Sequence, residues 1–380
     1  MVKLRAMLKP GLAVLGGLLF AASVARADCN QPTAESVVQI DMSGHPFSAI
    51  PTADGCAVFV SLPAGKQSRI AVFKRDNGAL SKLRDLPVPG QLSGLALSPD
   101  GRFLAGADGA GVVVFDTARL LAGAEAAQIA SSDDGPQASS IYVAFSPDGR
   151  LLFVANERSA SLSVYDAAGL PASLKSIGQV RVGGAPVGLT FSPDGKYLYS
   201  TSEVGPRNWE AKCTTEGPPH PEGVLVTIDV AKAATDPAKS MVGGVAAGCN
   251  AVRVALSPDA ATAYVTARGA NAVLAFDTAK LVSDPAHALR ATVTVGISPV
   301  GVTASQGKVF VTNSNRFAGG ANQSVSVLDA GNLSGPQAHI PAGGIPRELK
   351  VTADGRTLLV TNFSSGSLEL VDLARLPAAK

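Results

Sequence analysis

Short apolar stretches alternate with polar turns along the whole chain at a nearly fixed spacing. A turn signal, Ser-Pro-Asp-Gly or a close variant, begins at Thr52, Ser98, Ser146, Ser192, Ser257, Ser305 and Thr352. The intervals are 46, 48, 46, 65, 48 and 47 residues, and self-similarity at such a period marks a repeat architecture. An apolar strand precedes each turn, as in Val187 to Phe191, and Pro-Asp-Gly supplies tight-turn residues. A second strand follows (Leu151 to Val154, Tyr197 to Tyr199, Leu358 to Val360), then a polar loop. An alternating third strand comes next, such as Ser161 to Asp166 or Ser324 to Asp329. The fourth ends in Val-Gly, as at Val182-Gly183 and Val295-Gly296. Four antiparallel strands in each repeat of about 45 residues predict a propeller blade.

The ends of the chain agree with a closed ring. The last copy stops after its third strand, Ser367 to Val371, while Val37 to Ile40 precedes the first copy as an unclaimed strand. Pairing the two removes a free sheet edge. The fold class is therefore all-β: a seven-bladed β-propeller of four antiparallel strands per blade, closed by an N-terminal strand.

Val311-Thr312-Asn313 and Val360-Thr361-Asn362, with Val154-Ala155-Asn156 and Val265-Thr266-Ala267, resemble the YVTN repeat. On these motifs the chain resembles the YVTN and lactonase-type propeller group over all seven blades. That group includes bacterial phosphogluconolactonases, fungal carboxymuconate cyclases and many exported proteins. The resemblance implies the fold more than the function, because the matching residues belong to strands and turns. No repeat carries the combination of Gly-His and Trp-Asp that marks WD40 blades, and the single tryptophan excludes the Trp-docking pattern of quinoprotein blades.

Ahead of the repeats, Lys3, Arg5 and Lys9 form a basic start, Gly11 to Ser23 is apolar, and Ala25-Arg26-Ala27 has the small residues of a cleavage site. These three parts predict a secretory signal over residues 1–27. Thirteen apolar residues are too few for a spanning helix, which needs about 20. Residues 28–380 are then one propeller domain, periplasmic or secreted and monomeric, with no membrane span. Four cysteines in an exported chain suggest two disulfides. Three connectivities are possible, and position favours Cys29–Cys56 and Cys213–Cys249. A net charge of +2 without a Lys/Arg-rich run argues against a nucleic-acid partner.

Candidate chemistry lies where residues depart from the blade pattern. The residue four places before each turn reads Ser48, Gly94, Tyr142, Gly188, Arg253, Gly301 and Glu348. Four are small, as close backbone approach requires; Tyr142, Arg253 and Glu348 are large and polar. Either these three plug the channel, with Arg253 paired to Glu348, or they face a ligand. Loops of one predicted face add Glu157 and Arg158, Arg268, Asn313, Asn315 and Arg316, Asn362 and Phe363, and Arg347 at the last crossing. Guanidinium groups gathered on one rim suit a carboxylate or phosphate, and a solvated rim is the plainer alternative. The long interval is an insertion over about 203–222 in blade 4, carrying Trp209, Cys213 and His220. A Cys213–Cys249 bridge places it over the mouth as a lid or docking knob; otherwise Trp209 covers its own blade.

Four scattered histidines, with no His-Glu-x-x-His or Cys-x-x-Cys, give a metal no support. No Cys-x-x-Cys-His, G-x-S-x-G or phosphate loop is present, and no cofactor is expected. The functional expectation is an exported propeller binding a small anionic molecule or a partner protein at its mouth. One alternative is a lactonase-type hydrolase or isomerase with Arg253, Glu348 and His45 as catalytic candidates. The other is a scaffold without pocket chemistry.

Overall fold

The computed structural model describes residue 29 and residues 31–124, 126–317 and 323–376. The leader over residues 1–27 lies outside them. Seven four-stranded antiparallel sheets follow one another in chain order, with one further two-stranded sheet. Blade 3 shows the plan: Ser140–Phe145, Leu151–Asn156, Ser161–Asp166 and Lys175–Arg181. The second and third strands are almost wholly buried and the fourth is half exposed. That gradient is why the inner strands read as apolar runs and the outer ones as mixed.

Blade 7 is closed across the termini. Val37–Asp41 pairs antiparallel with the third strand, Ser367–Asp372, in the register Val37 to Val371 through Asp41 to Ser367. Cys29–Cys56 ties the chain start to blade 1. Cys213–Cys249 joins the blade-4 insertion to the crossing into blade 5. Both bridges are those favoured by position.

The recurring turn has a local cause. In six copies the leading hydroxyl, Thr52, Ser98, Ser146, Ser192, Ser257 or Thr352, donates to the aspartate two residues on. The same oxygen accepts the amide five residues on, for example Leu151 N–H at 2.9 Å, which satisfies the backbone groups of the hairpin end. The seventh copy is shorter. Ser305 pairs directly with Lys308, and Gln306-Gly307, both at positive φ, make a two-residue turn. The degenerate sequence there is a different hairpin.

The threonine of the Val-Thr-Asn motif joins neighbouring blades. Thr266 Oγ1 accepts the Arg253 amide of its own blade and donates to Val300 O of the next, at 3.0 and 2.7 Å. Thr361 does the same between Glu348 and Phe47 O, and Thr201 reaches Val252 O at 2.7 Å. Asn313 and Asn362 are buried and bond to third-strand side chains of their own blades. They are blade-holding residues and lie below the rim.

Candidate functional site

First strands line the central channel, and a bulge decides which of their residues face it. In blades 3 to 7 the pairing register slips just above the position four before the turn, between Ser140 and Tyr142, for instance, and between Pro346 and Glu348. One extra residue is thereby turned toward the mouth. It stands five places before the turn: Phe47, Ser93, Ile141, Val187, Val252, Val300 and Arg347. All seven line one cavity of about 680 Å³ at the channel mouth. Its floor is apolar, with Val187, Val252 and Val300 packed together against Ile141. Arg347 is the only charged member of that ring. The interblade threonine and serine bonds hold carbonyls of this same ring, those of Phe47, Ser93, Val252 and Val300. Structural motif residues therefore set the shape of the floor.

The walls come from the rim loops: His45, Glu157, Glu203, Arg268, Arg316 and Phe363 all reach the cavity. Arg268 is fully engaged, with Nη1 and Nη2 forked onto both oxygens of Glu203 at 2.8 Å and Nε on Glu216 at 2.7 Å. The disulfide-pinned insertion contributes Glu216, and Thr215 bonds to Gly269 O at 3.1 Å. Arg268 thus builds the wall.

Arg347 has a different environment. Its guanidinium lies 4.2 Å from the ring centroid of Phe47 and 5.5 Å from that of Phe363, which holds the planar group by cation–π contact. Among the described residues it makes no ion pair, and its buried Nε has no acceptor. Burial, and then the nearby Arg253 charge, push its pKa down to about 10. Arg316 also makes no ion pair among the described residues; burial and then Arg268 lower its pKa. Glu157 is the complementary group. Burial, and then Glu203, raise its pKa above the ordinary carboxylate value. His45 stacks on Phe363 at 5.2 Å and bonds through Nδ1 to Phe363 O at 2.8 Å.

Directly beneath, Tyr142, Arg253 and Glu348 meet as a plug. Arg253 Nε donates to Glu348 Oε1 at 2.7 Å, Nη2 lies 2.5 Å from the same oxygen, and Nη1 bonds to Val187 O. The guanidinium lies 4.6 Å from the Tyr142 ring centroid. Burial is the largest single influence and favours a neutral Arg253, but Glu348, by its charge and hydrogen bond, together with Tyr142 and Glu157 outweighs it and holds the pKa above its ordinary value. Burial, and then Glu348, keep the Tyr142 hydroxyl protonated. The three glycines of this layer sit tight against the floor: a Cβ on Gly94, Gly188 or Gly301 falls within 2.8 Å of the carbonyl of Ile141, Val252 or Arg347.

The mouth therefore gathers Arg253, Arg268, Arg316, Arg347 and His45. It does not gather every residue singled out from sequence. Tyr142 and Glu348 line a separate cavity below the floor. Arg158 is exposed and outside the mouth lining. Trp209 lies outside the mouth lining: it packs against the apolar core shared by blades 3 and 4 and lines a groove with Phe276, Pro285 and Leu289 of blade 5. The residues that sequence reasoning missed are the apolar floor. Its sequence signal was the run of apolar residues five before the turn, broken by Ser93 and Arg347, but an unbroken strand would have turned them away from the channel.

A family profile described as lactonase, 7-bladed beta-propeller, matches residues 52–280, more than half of the chain. No curated protein matches it. Among solved structures, a chain of Kuenenia stuttgartiensis hydrazine synthase is 18% identical with a TM-score of 0.66, covering 90% of this chain and 98% of its own. A chain of a mitotic checkpoint complex is 17% identical with a TM-score of 0.67, covering 96% and 99%. At such identities the likeness concerns the fold alone.

Proposed function

The chain belongs to the lactonase family of seven-bladed β-propellers, and from that premise we propose that its mouth binds a small anion with a compact apolar body. The observation that carries this reading is Arg347: a cation without a carboxylate partner, held flat by two aromatic rings in an otherwise uncharged floor. A bound carboxylate supplies the acceptor that Nε lacks and forms a charge-assisted pair. The five apolar or aromatic floor residues cover the ligand's body, and Arg316 adds positive charge at the rim. The reading includes export. Two disulfides suit an oxidising compartment, and among the described residues no helix is long and apolar enough to cross a membrane.

Calorimetric titration with a panel of small aliphatic and aromatic carboxylates tests it. The expected result is saturable binding by at least one member, weakened about 10-fold or more in Arg347→Gln. Equal binding by the wild type and this variant overturns the reading.

A lactonase-type activity is the second reading, and Glu157 favours it. A carboxylate with a raised pKa in the same cup as Arg347 is more basic than an ordinary glutamate and suits a general base. Arg347 would then orient a carboxylate or polarise a carbonyl. Arg253 and Glu348 neutralise each other below the floor, so Arg347 and Glu157 replace them as the pair to test. Lactone hydrolysis lost in Glu157→Gln with binding retained supports this reading, and no turnover across the panel counts against it. The pairing of Arg253 with Glu348 beside Tyr142 is the arrangement expected of a scaffold without pocket chemistry; the open cup above that plug, with Arg347 unpaired, is what favours binding instead.

A further inference from the structure

The channel continues below the plug. Under Tyr142, Arg253 and Glu348 lies a chamber of about 250 Å³. It adjoins another of about 390 Å³ among the turns at the opposite face. The residues two places before each turn form a second ring there, and all seven line one or both cavities. Ile50 and the alanines Ala96, Ala144 and Ala255 make it mostly apolar. Thr190 and Thr303 add hydroxyls, and Lys350 adds the only charge.

Lys350 is enclosed by protein yet exposed to the channel. Among the described residues it makes no ion pair and no side-chain hydrogen bond. Neither the Thr190 nor the Thr303 hydroxyl has a protein partner there. In the layer above, Arg253 and Glu348 cancel and Tyr142 stays neutral, so the chamber carries one uncompensated positive charge. Burial lowers the pKa of Lys350 and Glu348 opposes that effect, and the ammonium, open to the channel, has no protein partner among the described residues to balance its charge.

We propose that this lower chamber is a second anion site, in which Lys350 binds a small monovalent anion with the Thr190 and Thr303 hydroxyls as donors. One ammonium matches one negative charge, and the Glu348 carboxylate just above disfavours a second. The chamber has room beside Lys350, Thr190 and Thr303 for a halide or a one- or two-carbon carboxylate together with hydrating water. The site lies on the far side of the plug from the mouth and shares with it only Arg253, the partition between the two.

Bromide and formate are the probes. In crystals of the wild type grown with bromide, anomalous scattering is expected beside Lys350, absent in Lys350→Met and unchanged in Arg347→Gln. In solution, formate at constant ionic strength should raise the unfolding temperature saturably. The half-saturating concentration should rise about 10-fold in Lys350→Met and recover in Lys350→Arg. If Lys350→Met fails to fold, the Thr190→Val/Thr303→Val double variant keeps the charge and should weaken formate several-fold. Bromide found only at the mouth overturns the proposal. So does a formate response that is identical in wild type and Lys350→Met, or one that disappears in Arg347→Gln alone.

Discussion

Two layers of side chains meet at the centre of the ring, one residue apart in sequence, and they treat arginine in opposite ways. In the plug, Arg253 is 5% exposed and Glu348 8%, and the two are joined by direct hydrogen bonds. In the floor above, Arg347 stands next to Glu348 in the chain, yet it lies between Phe47 and Phe363 with no carboxylate. The bulge turns adjacent residues to different levels of the channel, so the carboxylate serves the lower arginine and leaves the upper one for something else. A buried charge with a partner is architecture, whereas one without a partner costs stability and calls for a role.

The sharpest way to break this comparison is to remove one member of the plug. Glu348→Ala strands the Arg253 guanidinium in an enclosed layer and should cost about 3–5 kcal/mol in urea unfolding. A loss under 1 kcal/mol would mean that water reaches the waist and the plug is open. Next comes the wall. Replacing Cys213 and Cys249 together opens a loop of 36 residues, and loop-closure entropy sets the expected loss at about 3–4 kcal/mol. The Glu216 contact to Arg268 should loosen with it, visible as faster amide exchange at Gly269.

Arg347→Gln is the matching change in the floor, and its effect on stability should be within about 1 kcal/mol, because no carboxylate is stranded. Binding of a mouth ligand is where it should show. The smallest effect is that of Glu157, and its sign depends on pH. The folded state raises its pKa, so the native protein holds that proton more tightly than the unfolded chain. Its contribution therefore becomes unfavourable as pH rises from the unfolded value of about 4.3 through the raised folded value, and then levels off. Glu157→Gln should match the wild type in acid and exceed it in stability at neutral pH. Unfolding curves for the two at several pH values provide the check, and a constant difference would mean that Glu157 is solvated.

Much of this was legible because a propeller repeats. Seven turns at a fixed spacing, an orphan strand at one end and a missing one at the other were enough to give the blade count and closure. The hydroxyl-to-aspartate bonds at six turns and the threonine bonds between blades give those residues local reasons to recur. The four-before-turn rule found the plug, including the Arg253–Glu348 pair, because departures from a repeat are visible by counting. It missed the floor, since strict alternation places Val187, Val252 and Val300 on the other side of their strands. Arg158 and Trp209 were picked by residue type and loop position, and neither fact fixes where a side chain points.

The sequence by itself determined the ring: local turn chemistry and period-two strands are properties of a few neighbouring residues, repeated seven times. What only the tertiary structure decided is which cations are spent and which are free. Arg268 is answered by Glu203 and Glu216 from the neighbouring blade, 65 and 52 residues away in the chain, and Arg253 by Glu348 across the channel, 95 residues away. Arg347 and Lys350 are answered by neither. Electrostatic pairing depends on distance through space, and the channel brings together residues from all seven blades that no local pattern relates.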